Sequence, residues 1–336
     1  MAELRDKTDI TVEELEESLG AKKLPEFITR CEQTFLDRID LIVEEICSDP
    51  NKKAIFVSGP TSSGKTTFTM RLSAGLTAHG RQANFLSLDD YYNTNELKFD
   101  KDGRPDFETI DALDIDLAAQ HIKDIIAGKK VIPPYFNFMT RRREERDPSE
   151  AIELPENGVL VVEGLHGLSE KTAGAVDPDE CIKVFIMPYG NVFCDTKLMD
   201  SNELRMLRRI VRDYRHRGAH ALATVDYWPM IARSEEDYYT DYLTRADVHV
   251  NSFLPYESLI IAPLALHDIK EALSHVEDGT IEPNVFMEKS NTGKDFADFS
   301  TALAKCSKLV KHLEKIPVVN PAHVPEQSIL NEFISK

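Results

Sequence analysis

Cysteine is sparse in this chain of 336 residues, and the five present (Cys31, Cys47, Cys181, Cys194, Cys306) are scattered without a CxxC pair. That spacing argues against a disulfide framework and suits a reducing compartment. Long apolar runs are missing too. None approaches the roughly 18 residues of a membrane span, and the opening "MAELRDKTDI" lacks the apolar core of a signal peptide. The expectation is a cytoplasmic chain with no membrane partner. Basic excess is also absent: 58 acidic residues stand against 40 basic ones, a formal net charge of −18. A surface of that sign argues against general nucleic-acid binding, while leaving room for a local basic pocket around a phosphorylated ligand. The single histidines His79, His166, His216 and His249 show no metal-ligand spacing, and no internal repeat or low-complexity tract occurs.

What is present is the composition of a globular protein, 42% hydrophobic and 29% charged. Residues 1–50 read as a helical extension. "TVEE" offers a capping box with Thr11 as cap and Glu14 three residues on. Phe27, Cys31, Phe35, Ile39, Ile42 and Ile46 then recur at helical spacing, giving a face for packing on the main domain or, alternatively, on a second copy. From residue 54 the texture changes to short Val-, Ile- and Phe-rich runs: "AIFVS", "NFLSL", "VLVVE", "IKVFIM" and "ADVHV". Helical patterns such as "LAAQHIKDIIAG" and "NELRMLRRIVRDYRHRG" lie between them. Buried strands alternating with helices predict an α/β domain with a mainly parallel five-stranded sheet. Residues 256–336 read as helical again.

The first of these strands runs into "GPTSSGKTTF", which fits GxxxxGK[ST]. Gly59, Thr61, Ser62, Ser63, Gly64, Lys65, Thr66 and Thr67 form the candidate nucleotide cradle, a P-loop. Its glycines permit a tight turn whose backbone N–H groups point at phosphate oxygens, and the following helix aims its positive end there. Lys65 supplies charge to the β- and γ-phosphates, and the Thr66 hydroxyl is a candidate magnesium ligand. Glu163, ending "VLVVE" ahead of Gly164, is the expected second group near magnesium. ATP and Mg2+ are therefore the expected cofactors. His166 lies close by, with a structural role expected.

"FLSLDDYYN" raises a separate question, because two carboxylates follow directly on a strand. In open α/β sheets the carboxyl ends of the strands carry the ligands, so Asp89 and Asp90 share a rim with the P-loop. A kinase acting on an alcohol needs a carboxylate to orient and deprotonate the attacking hydroxyl.

At these residues the chain resembles the uridine kinase and phosphoribulokinase group of P-loop kinases. "DDYY" is similar to that family's Asp-Ser-Phe-Tyr, which implies Asp89 as the base and Tyr92 as an aromatic on the acceptor side; Asp90 remains the alternative base. "VVEGLHGL" resembles the family's Glu-Gly-Ile-Leu, in support of Glu163. "LRRIVRDYRHRG" resembles its lid, near residues 200–220, and implies that Arg209, Arg212 and Arg217 close on acceptor and phosphates. The likeness covers roughly residues 52–255, so a kinase domain is expected over 51–255. "WPMIARSEEDY" and "QSILNEFI" are similar to a branch that often carries an N-terminal TGS domain, which the first 50 residues here do not resemble.

The acceptor pocket departs from the family. "FETIDALD" puts Glu108 where the family has an Asp that binds ribose, and "FNFMTRRR" puts Phe136 for a Tyr and Arg141 for a His. Phe136 has lost a hydroxyl, and Arg141 can only donate. "TRRREERD" also reads as an exposed charged loop.

The leading expectation is an ATP-dependent kinase for the 5′-hydroxyl of uridine or cytidine, with Asp89, Lys65, Arg212 and Arg217 in the chemistry. Tyr92, Glu108, Phe136, Arg141 and Arg209 are expected around the acceptor. The alternatives are a kinase for another sugar, polyol or acidic alcohol, and a nucleotide-binding regulator whose activity has faded. The resemblance also implies a homo-oligomer.

Overall fold

The computed structural model describes residues 7–93, 97–137, 140 and 142–335. The chain opens with β1 (Thr8–Thr11), α1 (Val12–Glu17) and α2 (Lys23–Ser48), followed by β2 (Ala54–Ser58), α3 (Lys65–Ala78) and β3 (Gln82–Ser87). After α4 (Ile115–Ile126) and the hairpin β4 (Tyr135–Asn137) and β5 (Arg142–Glu144) come β6 (Gly158–Glu163) and β7 (Cys181–Met187). A second hairpin, β8 (Gly190–Cys194) and β9 (Thr196–Met199), leads into α5 (Ser201–His216), α6 (Ala221–Arg245) and β10 (Val248–Asn251). The chain closes with α7 (Ser258–Glu277), α8 (Phe299–Leu313) and the short α9 (Asn331–Ile334).

All five runs expected as strands form one parallel sheet, in the order β10-β7-β2-β6-β3. The three inner strands are apolar on both faces because both are covered. Ile55, Val57, Val161 and Val184 point into one cluster with α2, α3, α5, α7 and α8. Phe56, Leu160, Val162 and Phe185 point into the other with α4. A half-exposed sheet would show alternation instead.

The helical face expected in the N-terminal segment lies on this core rather than being left for a second copy. Phe35 meets Phe68 of α3 edge-on at 6.3 Å between ring centroids, and Val43 lies so close to Gly75 that a Cβ there would come within 2.9 Å.

The reading of residues 1–50 as helical needs a correction. Thr8–Thr11 is a strand, paired in parallel with β8, while residues 1–6 lie outside the described residues. The cause is pairing with a strand far along the chain, and the capping box sets where that strand gives way to helix. Thr11 Oγ1 accepts from Glu14 N at 3.1 Å and Glu14 Oε2 accepts from Thr11 N at 2.7 Å, which fixes the helix start at Val12 and leaves the upstream backbone extended. Both hairpins are likewise additions to the elements read from sequence.

Candidate active site

Three strand ends define the site. β2 runs into the P-loop, β3 ends before Asp89, and β6 ends at Glu163. Parallel neighbours put these ends on one rim, around a cavity of about 630 Å³.

The glycines of the loop are required by geometry. A Cβ on Gly59 would come within 2.1 Å of the Ile186 carbonyl oxygen, and Gly64 has a φ of +90°. Lys65 Nζ donates to the Gly59 and Pro60 carbonyls at 2.9 and 3.1 Å. The hydroxyls of Ser62 and Ser63 are buried without a hydrogen-bond partner among the described residues.

Three arginines of α5 hold the loop from behind. Arg205 Nη1 donates to the Thr61 carbonyl, Arg208 Nη1 to the Ser62 carbonyl, both at 3.2 Å, and Arg209 Nη1 to Thr61 Oγ1 at 2.9 Å. Arg205 and Arg208 are balanced by Glu235 and Glu257, with closest separations of 2.6 and 2.5 Å. Both guanidinium groups are buried and paired, as a charge in an interior must be.

The two neighbouring aspartates part company. Asp90 Oδ2 accepts from Arg146 Nη2 at 2.6 Å and its Oδ1 from Phe136 N at 3.3 Å, which ties it to the β4–β5 hairpin. Asp89 instead lines the cavity with Lys65, Thr66 and Glu163. Burial pushes the Asp89 carboxyl above its ordinary range, with Lys65 and Arg217 pulling it down and Glu108 and Asp90 adding to the rise. Burial also raises Glu163, and Asp89 adds to it by like-charge repulsion.

Across the cavity, fully buried Asp213 gathers three arginines of α5 and its C-terminal cap. It accepts from Arg209 Nε at 3.0 Å and from Arg212 Nε at 3.4 Å, and Arg217 Nη1 lies 3.4 Å away. Burial raises the Asp213 carboxyl, but Arg209, Arg217 and Arg212 outweigh it and hold it below its usual range. Burial, followed by repulsion from Arg217, lowers Arg212 to about 10. Its Nη2 is buried with no partner among the described residues, and the side chain lines the cavity with Lys65.

The same cavity is also lined by Tyr92, Glu108, Phe136, Arg209 and Arg217. The Tyr92 hydroxyl donates to the Phe107 carbonyl at 3.0 Å, and its ring lies 5.3 Å from that of Phe136. Arg209 Nη1 reaches Glu108 Oε1 at 3.3 Å. Arg141 lies outside the described residues. His166 is structural, bonded to the Tyr242 hydroxyl and the Glu108 carbonyl at 2.9 and 2.8 Å, and burial lowers its pKa to about 4.

Sequence reasoning passed over Asp213, although its place four residues after Arg209 is an ion-pair spacing on a helix. It also passed over Phe286, Glu288 and Lys289, which line the cavity from beyond residue 255. No local pattern marks them.

The donor set suits a hard cation. Among the described residues no group of three or more His, Cys, Asp or Glu side chains is arranged to hold a metal ion by itself. Magnesium bound through one or two carboxylates and substrate phosphates needs no such cage.

A parallel sheet whose central strand runs into a glycine-pinned phosphate loop, with acidic strand ends beside it, defines a P-loop kinase fold. The chain belongs to the Phosphoribulokinase / Uridine kinase family, whose model matches residues 54–255. It is 27% identical over 180 residues to a uridine kinase of Macrococcus caseolyticus, covering 53% of this chain and 77% of that one. A uridine kinase of Staphylococcus aureus is 26% identical over 188 residues, 56% of this chain and 81% of that one. The solved structure of the YGR205w protein is similar with 15% identity and a TM-score of 0.40, over 57% of this chain and 80% of the other. Among the described residues no helix is long and apolar enough to cross a membrane.

Proposed function

We propose that this protein is a magnesium-dependent kinase that transfers the γ-phosphoryl group of ATP to a hydroxyl of a small molecule, with the 5′-hydroxyl of uridine or cytidine as the leading acceptor. The observation that carries this reading is the meeting of Lys65, Asp89, Glu163 and Arg212 in one cavity, with Arg212 Nη2 buried and unpartnered among the described residues. A buried donor without a partner costs free energy unless a ligand satisfies it.

In this reading the acceptor oxygen attacks the γ-phosphorus while its proton passes to Asp89. The bond from the γ-phosphorus to the bridging oxygen breaks, and ADP leaves. Lys65, Arg212 and Arg217 stabilise the charge spread over the equatorial oxygens. Thr66 and Glu163 would hold magnesium, which when bound supplies positive charge to the β- and γ-phosphates. Backbone N–H groups of the P-loop, from Gly59 to Thr67, hold the phosphates of ATP. Tyr92 and Phe136 offer aromatic faces to the acceptor, and Glu108, oriented by Arg209, offers a carboxylate to its hydroxyls.

A second acceptor class, another sugar, polyol or acidic alcohol, is favoured by one feature. Part of the cavity wall, Phe286, Glu288 and Lys289, comes from outside the segment matched by the family model.

The test is ADP release with MgATP, screened across nucleosides, pentoses and polyols, with Asp89→Asn as control. Turnover with uridine or cytidine that the control lacks supports the nucleoside reading. Turnover only on another alcohol replaces the acceptor, and ATP binding without turnover on any acceptor sinks the kinase assignment.

A further inference from the structure

The last turn of the chain lies on the phosphate loop. Ile329, Leu330 and Phe333 are buried. Phe333 lies under the Arg208 guanidinium at 5.1 Å from the ring centroid, the Ser328 hydroxyl is 3.0 Å from that of Tyr256, and Arg71 Nη1 donates to Gln327 Oε1 at 2.7 Å. Ile329 packs so tightly on Gly64 that a Cβ there would come within 2.2 Å of its Cδ1. These anchors bring Glu332 to the start of α3. There its Oε2 accepts from the Thr67 backbone N–H at 3.2 Å and from the Thr67 hydroxyl at 3.3 Å.

Thr67 N–H is one of the first donors of α3, which have no partner within the helix. Such donors, at the positive end of the helix, are what a P-loop presents to phosphate oxygens. A carboxylate on the same N–H and hydroxyl takes the place of an anionic ligand. Glu332 also lines the cavity that holds Lys65, Asp89 and Glu163, and Lys65 Nζ is engaged with loop carbonyls.

We infer that Glu332 is an internal occupant of the nucleotide-phosphate site, and that the turn Asn331–Ile334 must give up Thr67 before the nucleotide's phosphates engage it. This rests on the nucleotide-binding reading of the P-loop. A nucleotide phosphate and the Glu332 carboxylate compete for the same two donors and repel each other. The apparent affinity for nucleotide is therefore the intrinsic affinity reduced by the fraction of molecules whose tail is released. The segment far downstream of the family-matched residues thus sets the nucleotide concentration at which the kinase works.

The experiment is calorimetric titration of MgATP, and of tripolyphosphate as a minimal probe, into the full chain, Glu332→Gln and Glu332→Ala. Hydrogen exchange across residues 326–335 is followed with and without MgATP. Removing the charge replaces a charge-assisted hydrogen bond with a neutral one or none, so both variants are expected to bind MgATP about tenfold more tightly. The tail amides of the unsubstituted protein are expected to exchange faster when MgATP is bound. Equal or weaker binding by both variants, or tail protection unchanged or raised by MgATP, overturns the inference while leaving nucleotide binding intact. If neither the folded parent nor the folded variants bind MgATP or tripolyphosphate, the nucleotide-binding reading falls and this inference falls with it. The exchange measurement needs no substitution, so a variant that folds poorly does not blunt the test.

Discussion

Asp90 is closed by Arg146, whose Nη2 donates to its carboxylate at 2.6 Å, while Asp89 beside it lines the cavity. Two adjacent acids in one short motif are thereby divided between an ion pair and the cavity wall. The divider is a basic residue 56 positions downstream. Asp89→Asn is expected to lower kcat by about a hundredfold to ten-thousandfold, the usual range for a lost general base, with MgATP affinity retained. Asp90→Asn is expected to lower stability by about 1–2 kcal/mol, because the pair is only partly exposed and its loss frees the β4–β5 hairpin. Steady-state kinetics beside denaturant titration separates the two outcomes, and equal loss of binding and turnover in Asp89→Asn would remove it as the base.

The raised Asp89 carboxyl sets the direction of the pH response. In the proposed role as base Asp89 must be ionised, so kcat/KM is expected to fall on acidification through a limb lying above the ordinary aspartate range. The same shift makes the ionised group a burden on the fold. Its cost is absent below the unfolded-state pKa, where both states are protonated, and is complete above the raised folded value. Asp89→Asn is expected to raise the Tm near neutral pH by about 1–2 °C, as about 1 kcal/mol does in a chain of this size, and the gain is expected to vanish near pH 3. Calorimetry at the two pH values checks it.

Arg212 is held in its charged form against burial and against Arg217. Arg212→Ala is expected to lower kcat by about a hundredfold to a thousandfold, the scale of one lost donor to developing charge. Stability should be unchanged or higher in the ligand-free protein. A kcat near that of the parent would show that Nη2 does not meet the transferring group.

Asp213 has the opposite signature, since three arginines hold it below its usual range. Asp213→Asn leaves those guanidinium groups without their common counter-charge and is expected to cost about 3–5 kcal/mol at neutral pH. A depressed carboxyl contributes stability above the unfolded-state pKa and loses it as pH falls toward the folded value. The difference between parent and variant is therefore expected to shrink below about pH 4. Denaturant titrations at pH 7 and pH 3.5 check the sign.

Much of the sheet and of the phosphate cradle was legible because each is written in contiguous residues. "AIFVS" is β2, and "GPTSSGKTTF" is a loop whose glycines meet backbone and side chains at close range. The rest depends on partners far away in sequence. β1 is a strand because β8 lies beside it, 182 positions on. The different surroundings of Asp89 and Asp90 depend on Arg146, and the charged stretch that carries it read either as part of the acceptor pocket through Arg141 or as an exposed loop, with nothing to single out Arg146. Glu332 is 265 positions from Thr67 and belongs to no phosphate-binding pattern. Periodicity and motif report what a residue does to its neighbours in the chain, and these contacts come from the folded chain only.

The single hydrophobic cluster that joins α2, α3, α5, α7 and α8 has a practical consequence for anyone wishing to shorten this protein. The family-matched stretch looks like a unit that can be excised, yet one side of its sheet is roofed by Phe35, Ile39, Ile42 and Ile46 from before it and by Ile260, Ile269 and Leu309 from after it. Expressed alone, that stretch would bare a broad greasy surface to water and clump. The segments at either end are structural members of the enzyme body, and a minimal version has to keep them.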